Sequence, residues 1–218
     1  QCDLRKYVFT DFNTEQYNQV FGGSNEAFNE VWWFYCSSSA TDNDRYVVYN
    51  YLEHIWYYGS MARSAWLDSG LRAFPLAATF NSVLVNHEEG VDDNETGTTA
   101  AIPAFITSAD FDLEDGDRFM LMSRVLPDVS FEGSTAANPA ITMSFFPLTS
   151  SGSGYNSPTS ESGVSTGVAT RSATSPVEVY TSQIHTRVRG RQVSMKIESS
   201  AAGVQWQSGA TRIDIRPD

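Results

Sequence analysis

The sequence predicts an all-β protein, with propeller-like blades in residues 1–97 followed by an antiparallel β-sandwich in residues 98–218. Short runs of β-branched and aromatic residues recur along the chain, and clusters of Gly, Asn and Asp separate them. Aromatic residues make up 13% of the 218 residues and charged residues only 18%, which is typical of a globular chain rather than a disordered one. A chain of this length can also bury a sizeable core.

The aromatic stretch at residues 30–59 is the main evidence for a blade. Residues 30–36 (EVWWFYC), 46–49 (YVVY) and 55–58 (IWYY) form three consecutive strand-like runs, with a polar loop after the first and a short turn before the third. Three antiparallel strands are most of a propeller blade, although a plain meander in a sandwich shows the same local pattern. We expect Trp56 to be a buried aromatic residue of this blade.

Upstream of that stretch, residues 7–12 have the composition of a first strand. Residues 14–23 are expected to be a polar connection that holds one helical turn, which Gly22 and Gly23 would end.

Downstream of it, residues 61–72 fit neither the helical nor the strand period. We therefore expect a loop that carries a docked Trp66. Residues 73–80 and 82–87 are predicted to pair as two strands of the next blade.

The second region is predicted to begin after a polar, turn-rich segment at residues 92–99 (DDNETGTT). The strands that follow are longer, and turns such as Asp115-Gly116 separate them. They are expected at residues 101–108, 118–127, 140–147, 177–199 and 203–216. This pattern favours an antiparallel sandwich.

Side-chain parity predicts a β-bulge at Gly190–Arg191. Val193 and Ile197 lie at odd positions, as do the arginines just upstream, whereas Val188 lies at an even one. An unbroken strand would point those arginines into the core. One extra residue in the strand would bring the apolar side chains to one face and the arginines to the other.

Residues 148–176 form a long Ser/Thr/Gly-rich segment with few apolar anchors. A loop of this length inside a compact domain is normally functional or packed on a partner. We expect an extended arm that lies on a neighbouring subunit.

The net charge of −12 argues against tight general binding of nucleic acid, because such a surface repels phosphates. The charge is unevenly distributed. Residues 85–117 contain ten carboxylates and no Lys or Arg, whereas residues 187–218 contain six basic and three acidic side chains. Pairing of the two clusters between subunits would explain both and would imply an oligomer; solvated surfaces are the simpler alternative.

Two sets of candidate site residues follow from this distribution. The acidic set, a candidate channel or interface surface, comprises Glu88, Glu89, Asp92, Asp93, Asp110, Asp112, Asp115 and Asp117. The basic set, a candidate subunit interface, comprises Arg187, Arg189 and Arg191.

The sequence shows no clear pattern of catalytic or metal-binding residues. Cys2 and Cys36 are too few for a disulfide framework, so buried reduced thiols are expected, with a bridge left open if their strands are neighbours. The run at residues 110–117 suits calcium by its oxygen ligands, but Asp115 stands where the sharp-turn Gly is needed. No GxSxG or phosphate-binding loop occurs. We therefore predict neither an enzyme nor a bound cofactor.

Six phrases of the sequence carry a family resemblance: EVWWFYC, DRYVVYNYLEHIWYYG, ARSAWLDSGLR, PLAA, RVRGRQVSMKI and GVQWQSGATRIDIRPD. With these the chain resembles the tail nozzle proteins of short-tailed bacteriophages, also called tail tubular B-type or DNA-stabilisation proteins. The likeness covers nearly the whole chain and is strongest at residues 30–78 and 180–217. Residues 148–176 match the family pattern least well.

The resemblance implies a virion protein of the tail, assembled in the host cytoplasm into a ring that is typically hexameric. Such a ring extends the portal and adaptor, joins other tail proteins such as fibres, and forms the terminal conduit for DNA, which passes through without specific binding. It often includes a β-propeller, and it has no catalytic residues. Because these proteins are longer than 218 residues, we expect the chain to be a C-terminal part.

Two other functions remain open at this point. A carbohydrate-binding or adhesin module of the same tail would contact the host surface through exposed aromatic side chains. A tail-associated hydrolase would need a cleft that pairs two carboxylates at the distance found in glycosidases.

Overall fold

The computed structural model describes residues 3–148 and 172–218, and most of its regular structure is β-strand in antiparallel sheets. The predicted all-β class is therefore confirmed. The chain divides into two compact units, Gln1–Gly90 and Val91–Asp218, which we call the N-unit and the C-unit.

The described part of the N-unit contains three short helical segments and seven strands. The helical segments are Asp3–Thr10 (α1) and the 3-10 helices Thr14–Gln19 and Glu26–Phe28. The strands are Phe21–Asn25 (β1), Glu30–Tyr35 (β2), Arg45–Asn50 (β3), Ile55–Ser60 (β4), Ala65–Leu67 (β5), Leu76–Ala78 (β6) and Leu84–Asn86 (β7).

The strand predicted at residues 7–12 is wrong, because α1 occupies most of that segment. Leu4, Tyr7 and Val8 are its partly buried apolar residues, at the i, i+3, i+4 spacing of one helix face. The Tyr7 ring packs against Tyr58 with centroids 4.2 Å apart. The β-branched and aromatic composition suggested a strand, but tertiary packing of the helical stripe decided the structure.

The three strands predicted within residues 30–59 are confirmed as β2, β3 and β4, and β1 adds a fourth strand beside β2. One face of this meander carries the buried Trp32, Phe34 and Val48. The expected helical turn after residue 14 is present, but Gly22 and Gly23 lie inside β1 and do not end it.

Gly23 allows Trp66 to dock on the four-stranded sheet. A Cβ atom at Gly23 would lie 2.4 Å from the Trp66 ring. Trp66 stacks on Trp32 at 5.2 Å and donates from Nε1 to the Ser24 carbonyl at 2.7 Å. The docking of Trp66 is thus confirmed, although a three-residue strand, β5, interrupts the predicted loop at Trp66.

Strands β5, β6 and β7 form a second, three-stranded sheet of the N-unit. The predicted pairing of residues 73–80 with 82–87 is confirmed as β6 with β7. Ser82, where φ is 62°, lies at the turn between them.

The described part of the C-unit contains twelve strands. Those before residue 148 are Asp92–Asp93 (β8), Ala100–Ala101 (β9), Ala104–Thr107 (β10), Phe111–Asp112 (β11), Met120–Leu126 (β12), Val129–Ser130 (β13) and Ala140–Leu148 (β14). Those after residue 172 are Ala173–Glu178 (β15), Ile184–Gly190 (β16), Gln192–Ser199 (β17), Gln207–Ser208 (β18) and Arg212–Pro217 (β19).

Two sheets of the C-unit share one hydrophobic core. The larger has the order β10-β17-β14-β15, with β11 also paired to β17, and the smaller has the order β16-β12-β19. Both contribute fully buried side chains to the same cluster, for example Phe145 and Ile197 from the larger sheet and Met122 and Val188 from the smaller. The segment expected to be the boundary, residues 92–99, lies in the C-unit, where β8 pairs with β9.

The irregularity predicted at Gly190–Arg191 is present, but it is a change of sheet rather than a bulge. The chain leaves the smaller sheet at Gly190 and enters the larger one at Gln192. A Cβ atom at Gly190 would lie 2.9 Å from the carbonyl oxygens of Leu148 and Gln192, so glycine fits this corner. The expected separation of side chains holds for Arg187 and Arg189, which are exposed while Val188 and Val193 are buried, but not for Arg191, which is half-buried.

The long segment predicted at residues 148–176 is shorter than expected, because β15 pairs with β14 from Ala173 onward. The expectation of an arm on a neighbouring subunit concerns residues 149–171, which lie outside the described residues. Cys36 is buried and its thiol is free, with Sγ 3.3 Å from the Asn43 Oδ1 atom, whereas Cys2 also lies outside the described residues. No helix in the described ranges is long and apolar enough to cross a membrane.

Candidate functional site

The acidic set divides between the two units. Glu88 and Glu89 follow β7 in the N-unit, whereas the other six members belong to the C-unit. Glu89 accepts a hydrogen bond from Asn86 Nδ2 at 2.7 Å. In the C-unit, Asp92 accepts from the Gly203 amide at 2.6 Å, which fixes the β8–β9 hairpin. Asp93 accepts from the Glu95 amide at 2.8 Å.

The four remaining members of the acidic set lie around one turn of the C-unit. Residues 110–117, which we call the acidic turn, have the exposed carboxylates Asp110, Asp112, Asp115 and Asp117. Glu114 and Gly116 have positive φ of 60° and 73°, which makes the reversal tight. The predicted grouping of these four carboxylates is therefore present as an exposed cluster.

The basic set is placed on two different elements. Arg187 and Arg189 lie on the exposed face of β16, whereas Arg191 lies in the connection to β17 and is half-buried. The guanidinium groups of Arg189 and Arg191 lie 4.3 and 5.5 Å from the Phe119 ring centroid, and Arg189 also pairs with the Asp218 carboxylate. The three arginines are close in sequence but do not form one uniform exposed row.

Sequence reasoning missed a buried carboxylate, Glu30, which lies on the core-facing side of β2 with only 7% of its surface exposed. Trp32 Nε1 donates to Glu30 Oε2 at 2.9 Å, and the Tyr57 hydroxyl donates to Oε1. Asn25 Nδ2 lies 3.4 Å from the same Oε2 and 3.2 Å from Glu88 Oε1. The sequence does contain a signal for this burial, because Glu30 and Trp32 are two residues apart in the run EVWWFYC and therefore lie on the same face.

This polar cluster perturbs the ionisation of its neighbours. Burial, followed by the hydrogen bond to Glu30, raises the pKa of the Tyr57 hydroxyl, and burial with the charges of Glu30 and Glu88 raises the pKa of Tyr46. Burial of its carboxyl group and the charge of Glu30 also raise the pKa of Glu88. Much of Glu88 is exposed, so it is the carboxyl end that is buried beside Asn25.

The cluster connects several segments of the N-unit. It joins β1, β2 and β4 to the segment that follows β7 through hydrogen bonds to carboxylates. Hydrogen bonds with a charged partner are worth more than neutral ones, about 1.5–3 kcal/mol each. No group of three or more His, Cys, Asp or Glu side chains suited to a metal ion occurs within residues 3–148 and 172–218.

The outer face of the same sheet carries an aromatic ladder, in which His54 and Trp56 are exposed and Trp33 and Tyr49 are partly buried. Trp56 stacks on Trp33 at 5.8 Å and on Tyr49 at 4.5 Å, and the Tyr49 hydroxyl lies 2.9 Å from His54 Nδ1. The expectation that Trp56 is buried is wrong, since 48% of its surface is exposed. Trp56 lies opposite Tyr49 on the face away from Trp32, which is 6% exposed and does belong to the core.

Comparison with known proteins identified no relative: no protein-family model matches the chain, and no curated protein matches it.

Proposed function

We propose that this chain is a structural subunit of a ring in a short phage tail, a nozzle that forms the terminal conduit for DNA and helps to retain and eject the genome. The observation that carries the proposal is the separation of charge within the C-unit. The exposed carboxylates of the acidic turn and the exposed arginines of β16 belong to different elements of one unit. Opposite charges on different elements of one subunit suit head-to-tail association, which generates a closed ring where the rotation between subunits closes.

The arrangement of strands in the two units also supports this proposal. The β1–β4 meander has the strand number and order of a propeller blade, and β5–β7 would belong to a second one. The two sheets that share the C-unit core are proposed to be an antiparallel sandwich. Rigid antiparallel units of this kind suit a virion conduit, and an acidic surface toward the lumen would keep DNA from adhering.

Electron microscopy of the purified protein in negative stain tests the proposal. We expect class averages that show closed rings with a central channel, six subunits being the expected number. Uniform particles of a single subunit, or open filaments, would contradict it.

A second candidate function is a carbohydrate-binding or adhesin module that contacts the host surface. The aromatic ladder favours it, because exposed aromatic rings such as Trp56 offer large, rigid contact area to a ligand. Under this function the protein would bind cell-surface glycans weakly, and Trp56→Ala would abolish the binding while leaving ring formation intact.

A further inference from the structure

Strand register collects arginines from three strands on the outward face of the β16-β12-β19 sheet. Leu121 lies opposite both Arg189 and Arg216, and Arg124 lies opposite His185 and Asp214. The alternate residues of these strands point into the core. The arginines of this surface, which we call the arginine face, are Arg124, Arg187, Arg189, Arg212 and Arg216.

The arginine face is only partly neutralised by its own unit. Arg124 Nη2 lies 2.7 Å from Asp214 Oδ2, and Arg189 pairs with Asp218. The other three arginines, Arg187, Arg212 and Arg216, form no ion pair within the part of the chain that the structure describes. A basic excess thus lies on the surface of a chain whose net charge is −12.

The complementary surface is present on the same unit. In the acidic turn, Asp115 and Asp117 are exposed, and the ion pair of Asp117 with Arg118 is a loose one at 3.9 Å between two largely exposed side chains. A guanidinium group matches a carboxylate with two parallel hydrogen bonds, which favours arginine as the carboxylate-binding residue. Nucleic acid is the less favoured partner, because the net charge of the whole chain repels phosphates.

We infer that the arginine face docks the acidic turn of a second copy of this chain. The acidic turn runs from β11 of the larger sheet to β12 of the smaller one, whereas the arginine face lies on the strands of the smaller sheet. Because the two patches are different, we place them in a head-to-tail contact that uses one patch of each copy and leaves the other free to continue the assembly. The inference rests on the proposed ring function and names its contact. It places Arg124, Arg212 and Arg216 at the interface and leaves out Arg191.

Complementary charge reversal tests this contact. One variant combines Arg187→Glu, Arg212→Glu and Arg216→Glu, and the other combines Asp115→Arg and Asp117→Arg. Sedimentation velocity should show self-association of each variant weakened about tenfold or more. An equimolar mixture of the two should associate again, because each altered surface then meets its complement.

A matched control carries the same change of charge elsewhere. Arg5→Glu, Lys6→Glu and Arg72→Glu reverse three exposed basic residues of the N-unit. This control should self-associate far more strongly than the arginine-face variant. All variants are checked for an unchanged urea midpoint, which the exposure of the substituted residues predicts.

Several outcomes would overturn the inferred contact, and one of them would also overturn the proposed ring. Equal self-association of the arginine-face variant and the control would reject the contact but leave the ring intact. Failure of the mixture to associate would reject the acidic turn as the partner. Binding of a fluorescent DNA duplex that only the arginine-face variant loses would assign the face to nucleic acid. A wild-type protein that is monomeric at every salt concentration would overturn both the contact and the ring.

Discussion

At the residue scale, the close approach of two carboxylates in the N-unit is the feature with the clearest consequence. Glu30 is buried, and the carboxyl group of Glu88 shares the Asn25 amide with it. A charged group in this position is opposed both by the loss of hydration and by its like-charged neighbour. The N-unit therefore folds at a cost when Glu88 is ionised.

This cost predicts the pH dependence of stability. Because the pKa of Glu88 is raised in the folded state above its ordinary value of 4.5, its stabilising contribution is complete below that pH. It is lost as the pH rises through the folded pKa. Glu88→Gln should therefore raise the urea midpoint at neutral pH, and the gain should shrink as the pH falls toward 4.5.

The neighbouring residue supplies the control for this prediction. Glu89→Gln removes one charge from an exposed side chain whose carboxylate accepts from Asn86. It should change the midpoint much less than Glu88→Gln at neutral pH. A Glu88→Gln variant that is less stable than the wild type at neutral pH would show that the Glu88 charge is favourable and would contradict the account.

At the scale of single elements, Trp32 and Trp56 lie on opposite faces of the four-stranded sheet. Replacing each of them tests which face is buried. Trp32 stacks with Phe34, Tyr46 and Trp66 in the core. Trp32→Ala should cost about 3–5 kcal/mol in the free energy of unfolding. Trp56→Ala removes exposed cross-strand contacts and should cost about 1 kcal/mol or less.

Urea unfolding followed by circular dichroism measures both variants under one condition. The same Trp56→Ala protein separates the two proposed functions when it is titrated with glycans. A loss at Trp56 as large as that at Trp32 would mean that the Trp56 side chain is buried, contrary to its exposed fraction of 48%.

The sequence predicts some elements better than others, because some depend on local composition and others on tertiary packing. Strands such as β2, β3 and β14 were predictable, because their composition and length are local properties. Helix α1 was not, since its β-favouring residues Tyr7, Val8 and Phe9 become helical through packing that the sequence does not show. The change of sheet at Gly190 depends on which strands β16 and β17 pair with, and that choice is non-local.

The candidate site residues also differ in how far the sequence alone predicts them. The acidic turn was predictable from its residues alone, because its carboxylates are contiguous in the sequence. The arginine face was only half predictable. Arg187 and Arg189 are close in sequence, whereas Arg124 and Arg212 join them only through the pairing of β12 with β16 and with β19, which are distant in the sequence. The alternation of side chains in EVWWFYC predicts that Glu30 faces the core. Its hydrogen-bond partners Asn25 and Tyr57 come from other strands, which the sequence does not identify.

At the scale of the whole molecule, the proposed ring requires copies of the chain to associate through charged surfaces. Contacts made by exposed arginines and carboxylates are weakened by salt, because the Debye length falls from about 10 Å at 0.1 M to about 3 Å at 1 M. Solvent-exposed ion pairs are also individually weak. A ring held by several of them should therefore be stable at low ionic strength and should dissociate at high ionic strength without unfolding.

Light scattering of the purified protein at low and high salt measures whether the chain assembles into a salt-sensitive ring. We expect a ring-sized mass at low salt, near six times the 24.1 kDa of one chain, that falls toward the mass of one chain as salt is added. A mass of one chain at every salt concentration would contradict the ring and would favour the carbohydrate-binding module.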